Sequence, residues 1–444
     1  MLRETEQLRS PDCKNRLGDS AKRASANRLM TNPGSTTGVP TKSPGARPLF
    51  IRKRMSFAAR ASYLGRWLPN YFWQMLVRRR HPGTVHLVVA LADHFEPSIV
   101  PGNGLARAPY ADQERRLERW CRDYPRAVAE WRDAEGCAFN HTYFYPAEQY
   151  DKSLVGRLAE HCAAGWGEIE IHLHHGVGAS DTAENTRRQL LEFRDKLASE
   201  HGGLCCMDGL GEPRYAFVHG NFALANSARG TYCGVDSEMQ VLAETGCYAD
   251  LTLPTATFHP AQIEKVNSLY ECGLPLNERA PHRKGRDLER GRRPEIFPLM
   301  VQGPLLPDIG SPNRARRFGI ENAALTNSNP PSLHRLSLWK HAAICVQGRP
   351  DWLFIKLHCH SMDPTQDDAV IGTSMRHFLR ELVEGAPERG ETLHFVCARE
   401  MVNIILAACD GREGNPGDYR DYRLTKSRAL AGSRVADSRT VVKG

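Results

Sequence analysis

The chain has 444 residues, 41% of them hydrophobic, which is enough to bury a sizeable core, and its formal net charge is +8. A good part of the Lys and Arg excess lies in the first eighty residues and after Leu424, so the middle is close to neutral and offers no folded basic stripe for nucleic acid. No apolar run approaches the ~20 residues that cross a bilayer, Met1–Lys53 is polar without a signal-peptide core, and the thirteen cysteines are scattered, with Cys205 and Cys206 adjacent and no CxxC knuckle. Together these features predict a cytoplasmic protein with free thiols.

Residues 1–50 are rich in Ser, Thr, Pro, Gly, Asn and Arg and are expected to be disordered, as are 425–444. Residues 54–80 read as a basic amphipathic helix, in which Phe57, Tyr63, Trp67, Tyr71, Phe72, Trp73 and Leu76 are interleaved with Arg54, Arg60, Arg66 and Arg78–Arg80. Such a helix suits either peripheral membrane contact or the closing of one end of the fold. Strand-like runs follow at Thr84–Ala92, Cys137–Phe144, Glu168–His174, Arg214–Val218, Ala249–Leu253, Glu295–Val301, Trp352–His358 and Thr392–Val396. Helical patterns separate most of them, at Gln113–Trp131, Tyr150–Ala164, Asp181–Ser199, Asp236–Thr245, Leu333–Val346, Ala369–Glu384 and Arg399–Cys409. Asp181 with Glu184 reads as a capping box, and Gly202 and Gly203 stop the same helix. This alternation predicts an α/β domain over 84–424, a distorted seven- or eight-stranded β/α barrel with a mainly parallel sheet. Asn277–Arg293 and Pro304–Pro331 break the rhythm and read as long rim loops.

The unusual residues sit at strand ends, where a β/α barrel carries its chemistry. The first strand runs into Asp93-His94-Phe95-Glu96, the third reads Glu168-Ile169-Glu170-Ile171-His172-Leu173-His174-His175, the fourth ends Val218-His219-Gly220-Asn221, and the seventh ends His358-Cys359-His360. Period two places His172 and His174 on one face. His94, His172, His174, His175, His219, His358 and His360 are therefore expected near one mouth with Asp93 beside them, a donor set suited to a borderline divalent ion such as zinc. The ion would polarise a carbonyl and activate a water, with Asp93 taking the water's proton and His358 protonating the leaving group. His219, Asn221 and His360 are expected to contact substrate. Glu96 reads as a ligand or a helix cap, Glu168 and Glu170 as inward partners of the site or a solvated strand start, and Arg399 and Glu400 as a first helical turn.

In the order Asp93-His94, then His172-Leu173-His174-His175 with its helix, then Leu357-His358, the chain resembles the polysaccharide deacetylase family, or NodB-homology domain, over roughly residues 84–410. The resemblance implies a distorted seven-stranded barrel and removal of acetyl groups from acetylated sugars by a metal-activated water. It implies Asp93 as catalytic base, His94 in place of a metal-binding aspartate, His172 with His174 or His175 as the metal-binding pair, and His358 as general acid. The second acid and the Arg-x-Pro motif are missing, and the usual H-x-x-x-H spacing is compressed. A divergent branch acting in exopolysaccharide synthesis is the implied context.

Three other readings remain open. A metal-dependent amidohydrolase also uses an H-x-H on a barrel strand, normally the first rather than the third. A glycoside hydrolase needs two carboxylates ~5 to 9.5 Å apart, for which Glu96 with Glu400 or Asp363 are the candidates. A non-catalytic carbohydrate-binding or scaffold protein would work through the 55–80 segment and rim aromatics such as Tyr143 and Tyr145.

Overall fold

A short run in which every residue is apolar fits a strand covered on both faces, and one of these, Leu87–Ala92, becomes the strand around which the rest is arranged. The residues described by the computed structural model are 56–78, 81–104, 106–255, 259–310 and 318–426. The tail expected at 1–50 lies outside them. In chain order the first half contains α1 (Phe57–Val77), β1 (Val85–His94), α2 (Tyr110–Val128), β2 (His141–Pro146), α3 (Lys152–Ala163), β3 (Gly167–Leu173), α4 (Ala183–His201), β4 (Cys205–Met207), β5 (Leu210–His219), α5 (Glu238–Glu244) and β6 (Cys247–Asp250). There follow β7 (Leu269–Cys272), β8 (Gly285–Asp287), β9 (Leu299–Val301), β10 (Leu306–Ile309), β11 (Phe318–Glu321), α6 (Leu333–His341), β12 (Trp352–Cys359), α7 (Asp367–Val370), α8 (Thr373–Glu384), β13 (Glu391–Val396), α9 (Ala398–Cys409) and β14 (Leu424–Lys426).

All eight anticipated strands form. The class is mixed α/β with a large, mostly parallel sheet in the order β12-β1-β2-β3-β5-β6-β9, extended by antiparallel β7 and β8. On one side β1 pairs with β12 along His86–Asp93; on the other it pairs with β13 first and with β2 from Leu91 onward. The sheet is not closed: among the described residues no ladder joins β9 to β12. The two segments nevertheless approach there, since a Cβ at Gly303 would lie 2.3 Å from the Lys356 carbonyl oxygen. The buried Lys356 Nζ donates to the Leu251 and Leu253 carbonyls at 2.7 and 2.6 Å, tying β12 to the residues just beyond β6.

Several expectations are corrected. Neither rim loop is wholly irregular, because Asn277–Arg293 contains β8, paired with β7, and Pro304–Pro331 contains the β10–β11 hairpin. Thr425 and Lys426 pair with Cys206 and Cys205, so order extends past the expected start of the C-terminal tail; 427–444 lie outside the described residues. Thr182, not Asp181, caps α4 by accepting from Asn185 N–H, while Gly202 ends the helix in the left-handed conformation at φ 63°. The described cysteines are all free.

Alternation along the strands sorts two cores. Leu87, Val89 and Leu91 of β1 pack with Trp120 and Tyr124 of α2, Leu154 and Leu158 of α3, and Phe378 of α8 on the outer face. Val88, Ala90 and Ala92 pack with Val218, Phe354 and Val396, with Met401, Ile404 and Ile405 of α9, and with Trp67 and Tyr71 of α1 on the inner face. Helix α1 is thus docked on the domain; Gln74 Nε2 also donates to Val266 O, and Arg66 Nη1 to Pro260 O. Its opposite side leaves Phe72, Trp73, Leu76 and Val77 exposed. No described helix is long and apolar enough to cross a membrane.

At the N-terminal end of β3, Glu168 is not solvated but receives a two-nitrogen grip from the buried Arg399, which also reaches Asp421 and the Leu424 carbonyl. One guanidinium therefore fastens the C-terminal segment to the sheet. Arg399→Met leaves the Glu168 carboxylate to Lys426 alone, 3.1 Å away and itself largely exposed, and is expected to cost about 3 kcal/mol of unfolding free energy, read as a lowered urea midpoint.

Candidate metal centre

The same alternation decides which strand-end residues meet. On β1, β3 and β12 the inner-face positions lead to His94, His172 and His358, and the outer-face positions to Asp93, Leu173 and Cys359. Three residues just beyond strand ends complete the inner group: Glu96, His174 and His360. The His94 ring lies 4.8 Å from that of His172, 4.6 Å from His360 and 6.3 Å from His358, and the His172 and His174 rings are 4.6 Å apart.

Glu96 stands at the centre. Its Oε1 is 3.4 Å from His172 Nε2 and 3.7 Å from His174 Nε2, and it belongs to two sets of potential ligands, Glu96 with His172 and His174, and Glu96 with His94 and His360. The first set is already oriented. His172 Nδ1 donates to the Val218 carbonyl at 2.9 Å, which leaves the buried Nε2 facing Glu96 Oε1 at 3.4 Å without a well-formed hydrogen bond. His174 Nδ1 faces Glu148 Oε1 at 2.8 Å, and Glu148 Oε2 accepts the His174 backbone N–H. A carbonyl or carboxylate behind each imidazole is the arrangement that holds metal-binding histidines in the correct tautomer. Two imidazoles and a carboxylate leave a fourth position free on a tetrahedral ion, and the partial exposure of His174 and His360 keeps the group reachable.

The electrostatics fit that use. Burial would raise the Glu96 carboxyl, but His174 and His172 outweigh it and hold it at about 2. Burial would lower His174, but Glu96 and Glu148 outweigh it and raise the imidazole to about 9. His94 is pushed well below its ordinary value by burial and by His360, His172 and His358; His358 is pushed down by burial, Lys356 and His360. The group thus combines a carboxylate, one imidazolium and several neutral imidazoles.

Other expected residues fall elsewhere. Asp93 is fully buried on the outer face, where it accepts from Ser361 N–H at 2.9 Å and lies 3.2 Å from His141 Nδ1; it cannot serve as base at this group, and Glu96 is the acid that faces the histidines. His219 also leaves the outer face of its strand, and His175 turns outward from the loop after β3; both meet Glu238 rather than Glu96. Asn221 follows the turn after β5, its N–H facing His219 Nδ1 at 3.2 Å, and its neighbour Phe222 packs 5.7 Å from the His94 ring. Tyr143 and Tyr145 are core residues, not rim aromatics. Glu400 lies near Glu168 and Arg420 at the N-terminal end of β3, away from Glu96, and Asp363 caps its own turn through Thr365. Glu170 points inward but is bonded to Tyr248 and Ala216 N–H below the group.

The residues that sequence reasoning missed are Glu148, Cys233 and Glu238. Glu148 had a readable signal, since it stands just past the end of β2 as Glu96 does past β1. An acidic residue in the first turn of a helix is commonplace, and Glu238 in α5 gives no other sign. No protein-family model and no curated protein matches the chain.

Gly220 makes room for the His174 ring, because a Cβ there would fall 2.4 Å from its Cδ2. Gly220→Ala is expected to weaken metal binding at this group about 10–100-fold with an unchanged circular dichroism spectrum, measured by competition with a chromophoric chelator. Since an incoming ion must displace the His174 proton, apparent affinity should fall roughly tenfold per pH unit as pH drops below about 9. A pH-independent affinity would mean that His174 is not a ligand.

Proposed function

We propose that the chain is a metal-dependent hydrolase of acylated carbohydrate, a polysaccharide or oligosaccharide deacetylase on an open, distorted β/α barrel. The observation that carries this reading is the Glu96–His172–His174 group, with His172 and His174 each held from behind through Nδ1. Zinc fits two imidazoles and a carboxylate, and such an ion supplies Lewis acidity toward an acyl carbonyl. The chain's own residues supply proton transfer. His94 and His358 are neutral imidazoles, each with a buried Nδ1 that lacks a hydrogen-bond partner; one of them accepts the proton of the attacking water, and the imidazolium so formed returns that proton to the leaving sugar oxygen or nitrogen. With Asp93 on the other face, this scheme uses histidine where the family it resembles uses aspartate. His360, the half-buried member of the set with Glu96 and His94, is the substrate contact in this reading.

A second reading, a carbohydrate-binding scaffold at a membrane surface, is favoured by one feature, the exposed row Phe72, Trp73, Leu76 and Val77 on α1. It too fits a role in exopolysaccharide synthesis.

Plasma mass spectrometry of the purified protein beside the His172→Ala/His174→Ala double variant separates the two. The hydrolase reading expects one divalent ion fewer in the variant, and acetate release from acetylated glycans that drops at least 100-fold with it. An unchanged metal content after reloading with zinc, cobalt or nickel would sink the hydrolase reading and leave the scaffold.

A further inference from the structure

The histidines that parity sends outward build a group of their own. His175 and His219 meet Cys233 and Glu238 between the ends of β3 and β5 and the helices α4 and α5, and each offers a ligand atom within 4.8 Å of the others. His175 Nε2 is 2.8 Å from Glu238 Oε1, His219 Nε2 is 3.7 Å from the same oxygen, and Cys233 Sγ is 3.5 Å from Glu238 Oε2. All four side chains are buried, three of these residues having no exposure at all and His175 only 4%.

We propose that His175, His219, Cys233 and Glu238 form a structural metal site, distinct from the Glu96 group, that takes zinc or a similar borderline divalent cation. Four protein donors of N, N, S and O type complete a tetrahedral shell and leave no open position, which marks a structural site rather than a catalytic one. Their supports match. Asp181 Oδ2 lies 2.9 Å from His175 Nδ1 and is itself held by Thr186 Oγ1, so Nε2 is the atom turned toward the group, where an ion would replace the proton it now shares with Glu238. Val235 N–H points at Cys233 Sγ from 3.4 Å, a donor that favours the thiolate. Glu238 Oε2 accepts Ala225 N–H at 2.6 Å. His219 Nε2 is fully buried with no hydrogen-bond partner. Ligation through that atom moves the ring proton to Nδ1 and opens the 3.2 Å contact from Asn221 N–H. The one thiolate and the one carboxylate among the four donors would balance the charge of a divalent ion.

The backbone is shaped for the same purpose. A Cβ at Gly176 would fall 2.2 Å from the Cys233 carbonyl oxygen, and one at Gly234 would fall 2.4 Å from Ser180 Cβ, so two glycines let the 174–181 and 230–236 segments touch. The Asp181 N–H to Cys233 carbonyl bond, 2.8 Å, stitches them. An ion here would fix the turn that carries His174, one residue from His175, and the start of the turn that carries Gly220. The buried Asp93, His141 and Cys359 group, by contrast, spends its carboxylate on Ser361 and His141.

Reconstitution of the metal-free full chain with cobalt(II) tests the proposal, because only a site with cysteine gives thiolate-to-cobalt charge transfer. The expected result is that band in the wild type, retained in His172→Ala/His174→Ala and in Cys359→Ser, and lost in Cys233→Ser together with one bound ion and several degrees of Tm. Absence of the band in the wild type, or its persistence in Cys233→Ser, would overturn the site. Should Cys233→Ser not fold, X-ray absorption at the zinc edge of His172→Ala/His174→Ala/Cys359→Ser, which keeps Cys233, decides: one sulfur at about 2.3 Å supports the site, and a shell of nitrogen and oxygen alone removes it. The Glu96 group contains no cysteine, so either group can fail without the other.

Discussion

Successive side chains of a strand leave opposite faces of the sheet, and the chemistry of this chain depends on that alternation. A histidine at an inner-face position joins Glu96; a residue one position away joins the helix layer. His94 and Asp93, adjacent in sequence, are divided in this way, and so are His172 and Leu173. A one-residue slip of β1 against β12 would exchange them, and the pairing from His86 with Trp352 to Asp93 with Cys359 prevents it through eight consecutive matched residues. Apolar contacts on both faces thus set the register, and the register sets which donors converge.

Convergence carries an electrostatic cost that the donors themselves offset. An isolated buried carboxylate is several kcal/mol unfavourable, yet Glu96 and Glu238 are both held near 2, each by two histidines that outweigh the desolvation. The partners respond in opposite ways. His174, placed between Glu96 and Glu148, is raised to about 9, whereas His219, with Glu238 at the longer distance and other imidazoles nearby, is pushed down to about 3 by burial. Each carboxylate therefore faces one imidazole that it raises, His174 for Glu96 and His175 for Glu238, and one that burial lowers, His172 and His219. That division suits a cation entering from outside, which takes over the imidazolium's role without reorganising the carboxylate.

The fold was legible where local pattern and tertiary need agree. Alternating Glu168-Ile169-Glu170-Ile171 announces a strand with distinct faces, and β3 has them. The run Tyr215-Ala216-Phe217-Val218 is apolar throughout, so nothing in it says which face its successor His219 takes, and the expected single mouth was the result. The short strands β4, β7, β8, β10, β11 and β14 hold three or four residues each, too few for a period to show. The opening between β9 and β12 was equally hidden, because one strand of three residues and a glycine give no sign of whether a ladder forms. Of the candidate site, His94, His172, His174, His358 and His360 were readable as strand-end residues; Glu148 had the same signal, while Cys233 and Glu238 lie far along the chain from the strand ends they meet.

The two groups are not independent in position even though their ligands are. His174 and His175 are consecutive and face Glu96 and Glu238 from one stretch of backbone, and Gly220, against which the His174 ring packs, follows His219 directly. Whatever orders the outer group thereby limits the freedom of two residues that shape the inner one. A metal-binding group built on loops gains precision from such support, since ligands must be held to within a fraction of an ångström while the strand ends that carry them remain open to solvent. The inner group is the exposed partner of the pair and the outer group the closed one, which is the order in which a reactive centre and its scaffold would be layered across a sheet.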